Sequence, residues 1–269
     1  MRGAPAPHLK EALRSAFDGW LSAATERFEA ELRFAEIRKG VNSLSSLYVE
    51  RRSGADLAAR AHEGAGKRAA LATYFAPLHF LAAHCALESL VESNPGALAG
   101  IRRVVDLGCG TGAAGAAAAS ACAARPEVLG VDRSGWALAE ARRTYTAFGL
   151  RARTLRSRLP RGLPRGRPGD LCVLGWCLNE LREEERDRLL ARLAEARDGL
   201  GARILVLEPL AGAVTPWWET ARGRLGGAGV WTAVVKRPIE RPARIAELDR
   251  ASGLDHRVIG VRAMFTRNG

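Results

Sequence analysis

Apolar residues return every three or four positions through Leu9, Leu13, Phe17, Trp20, Leu21, Ala24, Phe28 and Leu32. This spacing predicts one amphipathic helix from Pro7 to about Lys39, with its charges on the other face. Gly, Asn and Ser in GVNSLSSLYVERRSG, Gly40 to Gly54, break the pattern, and a second helical stretch is expected from about Asp56. A third, Lys67 to Ser93, is apolar throughout and carries Pro77, which should start or kink a helix at that point. Asn94-Pro95-Gly96 then signals a turn.

Beyond the turn the period alternates between strand and helix. Strands are expected at Ile101 to Gly108, Glu127 to Asp132, Arg151 to Ser157, Asp170 to Cys177 and Ala202 to Leu210. Helices are expected at Ala113 to Ala124, at Ser134 to Gly149 with Ser134 as N-cap, and at Glu183 to Gly201. Strand-helix alternation implies an α/β, doubly wound, Rossmann-like sheet, mostly parallel and covered on both faces. The tail reads as a helix and glycine loop (Thr215 to Gly229), a strand (Val230 to Pro238), a short helix (Arg241 to Gly253) and a last strand (Asp255 to Thr266). Two parts follow: a helical region over 1–95 and a cofactor-binding domain over 96–269.

Length and composition fit this picture. At 269 residues, 47% apolar and 26% charged, the chain can bury a sizeable core. The neutral run Ala113 to Ala124 is mostly alanine, and no membrane span is expected. With no signal-peptide core at the start, a cytoplasmic protein is expected. Five cysteines, an odd number without paired spacing, read as reduced thiols, and no metal site or metal cluster is expected. The net charge of +12 points to an acidic partner, RNA above all. Arginine bias of the whole sequence is the competing explanation, since only Lys10, Lys39, Lys67 and Lys236 are lysines.

The chemistry centres on VVDLGCGTGAAG, Val104 to Gly115. Gly110, Gly112 and Gly115 have the G-x-G-x-x-G spacing of a dinucleotide turn, with Asp132 closing the next strand. Yet Asp106 stands where a pyrophosphate would meet a like charge, whereas a sulfonium cofactor with a free ammonium would find a counter-charge. The run Asp106-Leu107-Gly108-Cys109-Gly110-Thr111-Gly112 resembles the first motif of class I S-adenosylmethionine-dependent methyltransferases, and LGVDRS resembles their second. The resemblance spans about Ile101 to Leu210 and implies S-adenosylmethionine as cofactor and a terminal antiparallel strand pair. It implies that Gly108, Gly110 and Gly112 let the backbone approach the cofactor and that Asp106 lies near its methionine end. Asp132 would take both ribose hydroxyls, with Leu107, Cys109, Arg133 and Trp176 completing the cofactor wall.

More loosely, EIRKGVNSLSSLYVERR, YFAPLHFLAAHCALESL, DLCVLGWCLNEL and VLEPLAG resemble the methyltransferase-like family associated with the small ribosomal subunit. That resemblance implies ribosomal RNA or the small subunit as partner. Members often carry a cysteine set for an iron–sulfur cluster, and this chain has no cysteine after Cys177.

Four further features bear on the reaction. In GWCLNEL, Asn179 could orient an amine or hydroxyl acceptor and Glu180 could take a proton, although both also suit a helix start. Cys177 raises a thiolate addition to a pyrimidine, but without the Pro-Cys or Thr-Cys context of enzymes that use it. Arginines 151, 153, 156, 158, 161, 165 and 167 precede Asp170, as a phosphate-gripping loop or a solvated one. His79 and His84, five apart, read as buried histidines. The sequence thus favours a methyltransferase acting on ribosomal RNA or a ribosomal assembly. It leaves open a non-catalytic assembly factor, a small-molecule methyltransferase with a helical lid, and a nicotinamide enzyme.

Overall fold

A computed structural model describes residues 9–49, 61–210, 212 and 215–266. Seven strands form one sheet: β1 (Arg103–Leu107), β2 (Glu127–Asp132), β3 (Ala152–Arg156), β4 (Asp170–Gly175), β5 (Arg203–Glu208), β6 (Val230–Pro238) and β7 (Val258–Thr266). Their order is β3-β2-β1-β4-β5-β7-β6. The first five run parallel, and β7 lies antiparallel between β5 and β6. β1, β4 and β5 are apolar runs buried along nearly their whole length, as a sheet covered on both faces requires. The strand order reverses between β1 and β4, and in such sheets the crevice beyond the carboxyl ends at that point is where ligands bind.

Helix α1 (Glu11–Glu29) is followed by α2 (Phe34–Val49), so the expected single helix to Lys39 is interrupted at residues 30–33. The break expected at Gly40 does not occur. Ile37, Val41 and Leu44 repeat at helical spacing and are fully buried, and packing outweighs the weak helix propensity of Gly40, Asn42 and Ser43. Gly40 also permits a close crossing, because a Cβ there would stand 2.1 Å from the Gly66 carbonyl oxygen. The helix expected from Asp56 lies mostly outside the described residues.

The third helix, α3, runs unbroken over Ala65–Ser93. Pro77 stands in the first turn of its last regular α-helical stretch, Ala76–Ser93, as expected of a proline at a helix start. A π-helical turn at Leu71–Phe75 directly precedes the proline and absorbs the change of hydrogen bonding. Long and apolar enough to cross a bilayer, α3 exceeds the alanine run singled out from the sequence, but 94% of its most apolar window is buried in the protein. Phe17 and Trp20 of α1 meet Phe80 of α3 and Phe148, and Arg27 pairs with the buried Glu140 at 2.6 Å. One hydrophobic core thus runs from α1 to β7, and it seats the amino-terminal helices on the sheet.

The remaining helices are α4 (Ala113–Ala121), α5 (Gly135–Ala147), α6 (Glu183–Leu200), α7 (Trp218–Arg224) and α8 (Ala243–Ser252). Ser134 caps α5 by accepting from the Ala137 amide. Between β3 and β4, residues 157–169 form neither helix nor strand. Arginines from elsewhere hold this segment's backbone: Arg103 donates to the Arg165 carbonyl and Arg192 to that of Pro160.

Candidate active site

A cavity of about 610 Å³ opens along the carboxyl ends of β1, β2, β4 and β5 and reaches the start of β7, which is at this edge because β7 is antiparallel. Its floor is the glycine turn, and α3 roofs it with Leu71, Phe75, Leu78 and His79. Asp106, Gly108, Cys109, Gly110, Asp132, Arg133, Trp176, Asn179 and Glu180 all line this one cavity. Leu107 is buried behind the turn, and Gly112 starts α4. The residues singled out from the sequence are therefore brought together.

The turn is built from backbone groups fastened to two carboxylates. Asp106, 1% exposed, accepts from the Gly115 amide at 3.0 Å and the Tyr145 hydroxyl at 2.8 Å. Gly115 must lack a side chain, because a Cβ would stand 2.3 Å from that carboxylate oxygen. The third glycine of the spacing thus makes room for the motif's own acid. Asp132 accepts from the Gly110 amide at 3.0 Å and the Ser134 amide at 2.8 Å, which ties the end of β2 to the turn. Gly110 has φ +50°, a left-handed conformation costly for other residues, and nothing lies within 4 Å of where its Cβ would project.

The electrostatics follow from burial. Burial raises the Asp106 carboxyl to about 7, against the lowering effect of the Tyr145 and Gly115 hydrogen bonds. A cation beside it would favour the charged form. Burial also pushes the Cys109 and Cys177 thiols well above their ordinary value. Cys177 donates its S–H to the Leu107 carbonyl at 3.2 Å and is thus a packed thiol, not the thiolate that addition to a pyrimidine requires. All five cysteines are free and buried, and among the described residues no group of three or more His, Cys, Asp or Glu is placed to hold a metal.

Past β4 the chain makes a strained turn. Trp176 adopts φ +56°, rare for a bulky residue and a form of strain that clusters at functional sites. Its ring stacks on His79 with centroids 4.1 Å apart, and burial lowers the His79 pKa to about 4. Asn179 is held at both ends: Nδ2 donates to Glu208 at 2.7 Å, and Oδ1 accepts from the Trp217 indole at 3.0 Å. Its carboxamide oxygen therefore orients the 178–180 turn, a structural task not legible in the sequence. Glu180 sits in that turn on the cavity wall. On the β3 side, Ser157, Arg158 and Leu159 reach the cavity, whereas Arg156 turns out to the Arg133 carbonyl.

Sequence reasoning passed over three groups. Tyr145 anchors Asp106, Glu208 anchors the turn after β4, and His256, on the cavity wall, bonds to the buried Asp249. The available signal was a polar residue in an apolar stripe: Asp249 follows Ile245 and Leu248 on the buried face of α8.

The description of a methyltransferase domain fits residues 104–198. That stretch is similar to a methyltransferase domain, and the sheet around it has the Rossmann-like methyltransferase fold. Among solved structures, an O-methyltransferase-type protein from Nostoc punctiforme superposes with a TM-score of 0.50 at 13% identity, covering 86% of this chain and 69% of that one. The mitomycin 7-O-methyltransferase gives 0.48 at 17% identity, with 96% and 76% covered. Magnesium protoporphyrin IX methyltransferase from Synechocystis, solved with bound S-adenosylmethionine, gives 0.43 at 19%, with 72% and 84% covered. No curated protein matches the chain in sequence. The resemblance to the ribosome-associated family gains no support from these matches.

S-adenosylmethionine is the cofactor that the match to a methyltransferase domain indicates, and the site suits it. Gly110 leaves an open cradle, Asp132 offers two acceptor oxygens at the end of β2, and Asp106 offers a buried counter-charge. When bound, the cofactor supplies a methyl group activated on a sulfonium. The chain's own contribution is alignment and exclusion of water, which can supply much of the rate of an in-line displacement.

Proposed function

We propose that this protein is an S-adenosylmethionine-dependent methyltransferase whose acceptor is a small molecule enclosed between α3 and the carboxyl edge of the sheet. One observation carries the reading: a single cavity joins the glycine turn to a chamber walled by Leu71, Phe75, His79 and Trp176. Apolar walls with a few polar groups are the usual character of small-ligand sites. Calorimetric titration of ligand-free protein with S-adenosylmethionine, with NAD as control, tests the cofactor. Saturable binding of the first alone is expected, and binding of NAD alone would return the glycine turn to the dinucleotide enzymes.

A second reading is methyl transfer to RNA, ribosomal RNA included, as the charge and the looser resemblance suggest. It is favoured by Arg151, Arg153, Arg156, Arg158, Arg161, Arg165 and Arg167, which are all exposed on the β3 side, with Arg158 at the cavity itself. RNA held by these arginines would bind with a steep inverse dependence on salt. Methyl incorporation into RNA, lost when several of them are replaced by glutamate, would move this reading ahead of the first.

A further inference from the structure

Opposite the cofactor turn the cavity wall holds a histidine–carboxylate pair. His256 Nδ1 lies 2.8 Å from Asp249 Oδ1, and the His256 amide donates to Asp249 Oδ2 at 3.1 Å. Asp249 is fully buried, and it also accepts from Arg241 at 2.6 Å and from the Tyr74 hydroxyl of α3. A carboxylate surrounded by donors stays ionised, and hydrogen bonds from Tyr74, His256 and Arg241 hold Asp249 below its ordinary pKa against the burial that raises it. Because a carboxylate oxygen only accepts, the imidazole proton resides on Nδ1 and Nε2 is left as the ring's acceptor. Tyr74, 2.9 Å from Nδ1, meets the ring edge-on and fixes its plane.

The other charges on this wall are accounted for. Asp255 is paired with Arg257 and lies 3.6 Å from Arg241, and His79 is kept unprotonated by burial. Beside His256 the two carboxylates, Asp249 and Asp255, are both paired with arginines, so this part of the wall suits a neutral acceptor. Phe75, His79 and Trp176 offer flat faces to an aromatic ring. An imidazole can take the proton of a phenol, whose acidity is near that of a tyrosine at about 10, far more readily than that of an aliphatic alcohol.

We propose that His256, oriented by Asp249, is the proton acceptor for a phenolic hydroxyl bound in the chamber, so that the acceptors are aromatic hydroxyls. This rests on the methyltransferase reading of the same site. In the step, a lone pair of the phenol oxygen forms the C–O bond to the methyl group as the C–S bond of the sulfonium donor breaks. The sulfur keeps that electron pair. The O–H proton passes to His256 Nε2, and the imidazolium is stabilised by Asp249 until it loses the proton to solvent. His256 is the catalytic residue, and Asp249 and Tyr74 are positioning residues.

The test uses 4-nitrophenol, whose acidity is close to that of imidazole, added to the full-length protein at pH 6 and followed by its phenolate absorption band. With the wild type, binding should raise the phenolate band. With His256→Gln the bound phenolate-to-phenol ratio should fall by about tenfold or more, one pKa unit being one decade. Asp249→Asn should give an intermediate ratio. His256→Gln should keep the wild-type melting temperature and affinity for S-adenosylmethionine, which separates lost chemistry from lost folding. The proposal is overturned if the wild type binds the probe as the phenol, if it does not bind it, or if His256→Gln leaves the band unchanged. Failure of the wild type to bind S-adenosylmethionine in calorimetry removes the underlying methyltransferase reading instead, so the two failures are told apart.

Discussion

The two ends of the cavity are built in different ways. At the β1–β2 end, backbone amides of Gly110, Ser134 and Gly115 are clamped by Asp132 and Asp106, all within thirty residues of one another. At the β4–β7 end the work is done by side chains that meet from distant places: Tyr74 with Asp249, His79 with Trp176, Asn179 with Glu208 and Trp217. A site made of backbone needs a local motif, whereas a site made of side chains needs the finished fold. The first end is therefore the part that a local motif can specify, and the proposed choice of acceptor rests on the second.

The largest expected effect tests the charge at the backbone end. The Asp106 carboxyl sits at about 7 in the folded chain against 3.8 when unfolded, so the folded state keeps a proton that the unfolded state has released between those values. Its contribution to stability is greatest at acid pH and is lost as pH rises from about 4 to about 7. At three pKa units the ionised form costs on the order of 4 kcal/mol. Asp106→Asn, which can still accept from Tyr145 and Gly115, should raise the melting temperature of the free protein at pH 8 and leave it nearly unchanged at pH 4. It should also weaken S-adenosylmethionine binding in calorimetry. Equal melting at both pH values would show that Asp106 is not penalised by burial.

Next in size is Gly115→Ala. The added methyl would strike Asp106, and overpacking of this kind costs about 3 kcal/mol, read as a lowered denaturation midpoint together with lost cofactor binding. Asp132→Ala removes the acceptor of the Gly110 amide and the ribose partner that the resemblance implies. Charge-assisted hydrogen bonds are worth about 1.5–3 kcal/mol, so affinity for S-adenosylmethionine should fall by about 10- to 100-fold in calorimetry with the fold retained.

At the side-chain end the sharper test is Asn179→Ala, which removes one donor to Glu208 and the acceptor of the Trp217 indole. A loss of about 1–2 kcal/mol in denaturant unfolding is expected, with cofactor affinity within twofold of wild type, because that affinity belongs to the other end. Smallest of all, Arg161→Glu and Arg165→Glu change exposed positions and should move stability by no more than about 0.5 kcal/mol. A large loss of turnover from these two would show that the acceptor reaches well outside the chamber.

What was legible in the sequence follows the same division. The sheet could be read because β1, β2, β4 and β5 are short apolar runs between helical stretches, and Ser134 marked a helix start by its own chemistry. The glycine turn was legible because its residues are contiguous. Helix ends in the amino-terminal region were not: Gly40 looks like a breaker until Gly66 is known to pack against it. The second role of Asn179 was hidden for the same reason, since Glu208 and Trp217 stand 29 and 38 residues away. His256 and Asp249 are only seven residues apart, yet nothing local shows that α8 turns the carboxylate inward beneath Tyr74.

The π-helical turn at Leu71–Phe75 gives α3 a surplus of one residue over a regular helix. Upstream of it Ala69 and Ala70 are buried, and downstream Leu78 and His79 line the chamber. Deleting a single residue there would let the helix close up while turning everything beyond it by about 100°, the angular step of one residue. His79 would swing away from Trp176, with the glycine turn untouched. A single codon in this segment is thus a place where a lineage could exchange one acceptor for another without rebuilding the catalyst.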